Sequence, residues 1–176
     1  MATQTKKTTA KKAAAKKAVV AAPGPQVGDK APAFSLPTDG GGKVSLADLK
    51  GKAVVLYFYP KDDTSGCTRE AIDFSAAKAK FDKLGVVVSG VSLDSAASHD
   101  KFKTKHKLTV ALGSDPTHEM LLAYGAWGKK SLYGRLFNGV FRKTFLIDEN
   151  GRVARIWPKV SVDGHAEEVL AAVKVL

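Results

Sequence analysis

Cysteine is nearly absent: the chain of 176 residues holds one, Cys67. An intramolecular disulfide is therefore impossible, which excludes a small secreted scaffold stapled by disulfide bridges. No apolar run approaches the roughly 18 residues a membrane-crossing helix needs. Acidic residues are missing from the first 28 positions, and arginine is missing from the same stretch, unlike an Arg-rich mitochondrial presequence. The longest apolar run there, Ala18–Ala22, is shorter than the core of a secretory signal. A cytoplasmic location is the expectation, with no membrane contact. The four histidines, His99, His106, His118 and His165, share no metal-ligand spacing, so no metal and no cofactor are expected. Neither a G-x-G-x-x-G fingerprint nor a serine nucleophile elbow is present. Gly40-Gly41-Gly42 fails the phosphate-loop pattern, because a strand and not a helix follows it.

Charge is abundant but lopsided. The formal net charge is +11, and six of the 28 basic residues lie in residues 1–22 without a single acid. The remaining residues carry 22 basic against 17 acidic side chains, or +5. Lysine pairs recur every five residues at Lys6-Lys7, Lys11-Lys12 and Lys16-Lys17, and Pro23-Gly24-Pro25 closes the stretch. On a helix that period spirals around the axis, so no one-sided membrane-binding face results. The tail resembles the Lys/Ala-rich tails of linker-histone-like proteins. It reads either as a sequence-independent contact with DNA phosphates through those six lysines or as a solvated disordered extension. The expected organisation is a basic tail over residues 1–26 and one folded domain over residues 27–176.

Within the domain, hydrophobic patterning alternates between strands and helices. Phe34 and Leu36 lie between prolines, ahead of the Asp39–Gly42 turn, as in a short N-terminal hairpin. Val54–Tyr59 is an unbroken apolar and aromatic run, the mark of a strand buried on both faces. Residues 67–84 follow as a helix, with Ala71, Phe74, Ala77, Phe81 and Leu84 on one face. Val86–Leu93, Ser95–Lys107 and Thr109–Leu112 then read as strand, helix and strand. Ser114 or Asp115 is placed to cap a third helix with Pro116 at its first position. Phe141–Ile147 and Arg152–Trp157 flank an Asp-Glu-Asn-Gly turn, and Gly164–Leu176 forms a last helix. The order predicts an α/β, thioredoxin-like fold: a mixed central sheet with flanking helices and an N-terminal hairpin.

Cys67 falls where a buried strand ends, a loop crosses and a helix begins. The unpaired N–H groups and dipole of the first helical turn stabilise a thiolate there. Gly66 lets a ligand approach the backbone closely, and Thr64 sets a hydroxyl one turn before the sulfur. A lone cysteine is equally often an inert core filler, and position alone leaves both readings open.

The run VVLYFYPKDDTSGCTRE resembles the active-site signature of peroxiredoxins, P-x-x-x-[TS]-x-x-C, with Pro60, Thr64 and Cys67 in register. Three further segments, GDKAPAFSLPTDGGGKVSLADLKGK, YGAWGKKSLYGR and GVFRKTFLIDENGRV, extend the similarity to the bacterioferritin-comigratory (Q-type) subfamily over residues 27–176. The resemblance implies a thiol peroxidase that reduces hydrogen peroxide and organic hydroperoxides. In it Cys67 attacks the O–O bond, Thr64 hydrogen-bonds at the sulfur, Arg142 steadies the thiolate, and Pro60 shields it. Glu70 orients the arginine and Trp127 lines the pocket. Many Q-type members carry a second, resolving cysteine five residues after the first; here that position is Ile72. The resemblance then implies a one-cysteine variant and a monomer. Its sulfenic acid is resolved by an external thiol such as thioredoxin, glutaredoxin or glutathione. The competing expectation is a peroxide sensor or nucleoid-associated protein acting through the basic tail.

Overall fold

A computed structural model describes residues 23–176. The six tail lysines, Lys6, Lys7, Lys11, Lys12, Lys16 and Lys17, lie outside the described residues. A five-stranded mixed sheet organises the rest. Its spatial order is β5 (Ala111–Ser114), β4 (Val86–Ser92), β3 (Ala53–Phe58), β8 (Lys143–Ile147) and β9 (Val153–Trp157). β3, β4 and β5 are parallel, whereas β8 runs antiparallel to both β3 and β9.

Central β3 explains why its sequence shows no alternation. Val55 and Tyr57 enter one core cluster, with Cys67 and Phe74 from α1 (Ser65–Lys83) and Val169 from α4 (His165–Lys174). Val54, Leu56 and Phe58 enter the other, with Phe34, Leu121 and Tyr124. Both faces are covered, so every position is apolar. Phe102 of α2 (Ala96–His106) joins the first cluster. The N-terminal hairpin forms as expected, from β1 (Ser35–Pro37) and β2 (Lys43–Ser45).

Three local readings are corrected. Leu84 does not continue the buried stripe of α1: the helix stops at Lys83, Gly85 takes a left-handed φ of 71°, and Leu84 is left exposed. The third helix does not begin at Pro116. Ser114 ends β5, and α3 (Glu119–Ala123) starts after His118. Asp115 still serves that helix from a distance, its Oδ2 accepting from the Leu121 N–H at 2.9 Å. Residues 127–140, to which the sequence pattern assigns no element, form a hairpin of β6 (Trp127–Leu132) and β7 (Arg135–Val140) separate from the main sheet. Its side chains are mostly exposed, so no apolar face marks the strands. Among the described residues no helix is long and apolar enough to cross a membrane.

Candidate active site

The site is assembled where β3 ends. Residues 59–64 lead from β3 to α1, and Cys67 lies in the first turn of that helix, with Thr64 as its N-cap. A 19-residue helix directs its dipole and free N–H groups toward this end. Because β8 pairs with β3 so that Lys143 faces Phe58, Arg142 falls just past the same end of the sheet. Two segments 75 residues apart in sequence therefore converge on one sulfur.

Arg142 Nη2 donates to Cys67 Sγ at 3.1 Å, and Arg142 Nη1 donates to Glu70 Oε2. Glu70 follows Cys67 by three positions on the same buried face of α1, so one helix presents both groups to the guanidinium. Cys67 and Glu70 are each 1% exposed. Burial pushes the Glu70 carboxyl up to about 7, against the opposing pull of Arg142. Burial alone would lower the pKa of Arg142, but Glu70 and Cys67 outweigh it and raise it, keeping the guanidinium charged. This cation and the N-terminus of α1 both face the Cys67 sulfur.

The other expected residues are placed variously. Gly66 faces the guanidinium: a Cβ there would stand 3.4 Å from Arg142 Nη2, in van der Waals contact with it. The exposed Thr64 hydroxyl donates to the Lys61 carbonyl at 2.8 Å, which leaves its lone pairs open. Pro60 is half-buried at the start of the loop. Trp127 packs against the core cluster opposite the one that holds Cys67, and stacks on His118 with ring centroids 4.3 Å apart. Ile72, at the position a resolving cysteine would take, is 42% exposed and turned away from the core.

One neighbour escapes sequence reasoning. Lys130 on β6 reaches across the hairpin, donating from Nζ to the Val140 carbonyl at 2.9 Å and lying over the Phe141 ring. Its pKa is lowered, first by burial and then by the like charge of Arg142. Nothing in the Lys129-Lys130 pair distinguishes it from a surface charge until the hairpin is folded. A cleft of about 820 Å³ lies at the opposite end of the sheet, between Lys50–Lys52 and Ile147–Gly151, and includes none of these residues. Among the described residues no cluster of three metal-ligating side chains occurs.

Comparison with known proteins shows the family. The AhpC/TSA family matches residues 27–156. The chain is 51% identical over 145 residues to a putative peroxiredoxin bcp of Coxiella burnetii, covering 82% of this chain and 96% of that one. It is 46% identical over 149 residues to peroxiredoxin Bcp of Bacillus subtilis, covering 85% and 95%. Among solved structures, Xanthomonas campestris peroxiredoxin Q superposes with a TM-score of 0.77 at 42% identity, covering 81% of this chain and 90% of that one. A cysteine-to-serine variant of Xylella fastidiosa PrxQ superposes with a TM-score of 0.80 at 36% identity, covering 85% and 96%. A further structure, matching as peroxiredoxin Q does, concerns the alkyl peroxide reduction activity of the Xanthomonas campestris bacterioferritin comigratory protein.

Proposed function

The chain belongs to the AhpC/TSA family as a peroxiredoxin of the Bcp/PrxQ type, a peroxidase with a single cysteine, and we propose that it runs its whole cycle on Cys67 with thiols supplied from outside. The observation that carries this reading is the 3.1 Å contact between Arg142 Nη2 and Cys67 Sγ at a helix N-terminus, in a chain with no other sulfur nucleophile.

The Cys67 thiolate attacks the terminal oxygen of a hydroperoxide. The S–O bond forms as the O–O bond breaks, and the departing oxygen leaves as water or alcohol once it takes up a proton. Arg142 supports this step twice, holding the thiolate and stabilising charge that builds on the peroxide oxygens. Thr64, whose lone pairs are unused, accepts a hydrogen bond from the incoming peroxide. Glu70 holds the guanidinium in place from below, and Gly66 faces it. Pro60 shields the sulfur from water. Alkyl hydroperoxides join hydrogen peroxide as substrates, by analogy with the Xanthomonas protein.

Resolution follows from Ile72. With no second cysteine, one external thiol displaces water from the sulfenic acid to give a mixed disulfide. A second external thiol releases Cys67 and leaves as the disulfide. Thioredoxin, glutaredoxin and glutathione each supply this chemistry. Two thiols and one hydroperoxide thus give one disulfide, one alcohol or water, and one water.

The test is peroxide consumption with thiol in excess. Cys67→Ser is expected to abolish it, and Arg142→Ala to slow it by roughly 100-fold, the scale of losing one charge-stabilising group. Wild-type turnover by Cys67→Ser overturns the assignment.

A further inference from the structure

The loop that leads to Cys67 is poorly held by its own backbone. Between the end of β3 and the start of α1, the only backbone–backbone bonds outside regular elements among the described residues are Tyr59 N–H to Val91 O and Thr68 N–H to Thr64 O. What fixes the loop instead is a pair of adjacent aspartates, both reaching to α2.

Asp62 is the buried member, 8% exposed. Its Oδ1 accepts from the Tyr59 hydroxyl at 2.6 Å, and its Oδ2 accepts from the Ser98 hydroxyl at 2.8 Å. The same Oδ2 lies 2.7 Å from Nδ1 of His99, which is fully buried. The other ring nitrogen, Nε2, faces the Gly113 carbonyl at 3.0 Å. A carbonyl only accepts, so Nε2 carries hydrogen, and Nδ1 and Oδ2 share one further proton between them. Every polar atom of the pair is matched, which is the condition for a buried polar cluster to confer rigidity. The Asp62 N–H is also held, donating to Asp94 Oδ2 at 2.8 Å.

Asp63 is the exposed member. Its backbone is left-handed, φ 58°, and its two carboxylate oxygens accept from Lys105 Nζ and His106 Nε2, each at 2.7 Å. Consecutive loop residues are therefore fastened to α2 at Ser98-His99 and again at Lys105-His106, two turns apart. The helix is itself pinned, by Phe102 in the core and by Lys103 donating to Asp39 at 2.7 Å.

We propose that Asp62 and Asp63 are positioning residues of the peroxidatic loop, through which His99, Lys105 and His106 of α2 set Thr64 and the first turn of α1 against Arg142. The proposal rests on the peroxidase reading of Cys67 and adds to it a helix that touches neither sulfur nor substrate. Misplacing reacting groups by about 1 Å costs up to about 100-fold in rate, so a loop with so few backbone bonds needs such anchors.

The test compares two reactions of Cys67 in the full chain at one pH: with hydrogen peroxide, which needs the aligned loop, and with iodoacetamide, which reads the exposure and nucleophilicity of the sulfur without a bound peroxide. Asp62→Ala is expected to lower the peroxide rate constant at least about tenfold and Asp63→Asn about three- to fivefold, with alkylation within about twofold of wild type. Asp62→Asn, whose amide still accepts from Tyr59 and donates to the imidazole, is expected to regain most of the loss. Peroxide rates within about twofold of wild type in Asp62→Ala and Asp63→Asn overturn the proposal, as does a change of both reactions by one factor. Should Asp62→Ala fail to fold, Asp63→Asn, on the exposed rim, decides. A wild-type chain that does not react with peroxide instead removes the peroxidase reading, so the two failures are distinct.

Discussion

Arg142 stands between two buried acidic groups, and the ionic state of one of them is poised near neutrality. Glu70, pushed up to about 7 by burial, holds its proton in the folded chain at pH values where an unfolded chain has already lost it. The folded state binds more protons between the ordinary glutamate range and pH 7, so this group's contribution to stability falls as pH rises through that window. His165 works in the opposite sense. Burial takes its pKa down to about 4, so the unfolded chain binds the extra proton and stability falls as pH drops from 6.5 toward 4. Chemical denaturation of wild type and Glu70→Gln across pH 4.5–8 separates the two. In wild type the two opposing trends largely cancel between pH 4.5 and 6.5, and Glu70→Gln is expected to unmask the His165 limb as a gain of stability with rising pH of roughly 3 kcal/mol. Identical pH profiles contradict the assignment to Glu70. Arg142→Lys is expected to lose most of the peroxide rate, about tenfold or more, because a point charge cannot serve the sulfur and Glu70 from two nitrogens at once. The approach of Arg142 to Cys67 is legible only through the family resemblance of the two segments that carry them. His99 is not legible, since its partner Asp62 lies 37 positions away and nothing local marks a helix histidine as an anchor.

Elements were readable where burial imposes a period and unreadable where it does not. β3 and α1 carry strong patterns because both lie within the core clusters, whereas the β6–β7 hairpin leaves Leu132, Tyr133, Leu136 and Phe137 exposed and so shows none. The start of α3 was misplaced because a proline and a capping residue mark a turn as readily as a helix. At this scale a tight fit joins β3 to β4. A Cβ at Gly90 would stand 2.6 Å from Cζ of Tyr57, whose ring stacks on Phe74 at 4.7 Å. Gly90→Ala is therefore expected to cost about 1–3 kcal/mol or more by displacing that ring, read from urea unfolding. A cost below about 0.5 kcal/mol would show that the Tyr57 ring moves freely. The Tyr57 hydroxyl is buried without a partner among the described residues, so Tyr57→Phe is expected to be neutral or stabilising in the same assay.

For the whole molecule, a single sulfur decides both the cycle and its failure. Without a resolving cysteine the sulfenic acid persists until an outside thiol arrives, so high peroxide at low thiol is expected to drive Cys67 to the sulfinic state. Among the described residues, the polar partners of Cys67 and of the loop before it come from residues 59–142. Removing residues 1–22 is expected to leave peroxide turnover within about twofold of the full chain; if it binds DNA through its six lysines, that binding will weaken steeply with salt. The most direct measurement is intact-mass spectrometry of the reduced protein after one equivalent of hydrogen peroxide, with a sulfenic-acid trap present. A fast, stoichiometric adduct on Cys67 is the predicted result. A thiol still free after minutes, with peroxide unconsumed, would contradict the account at its centre.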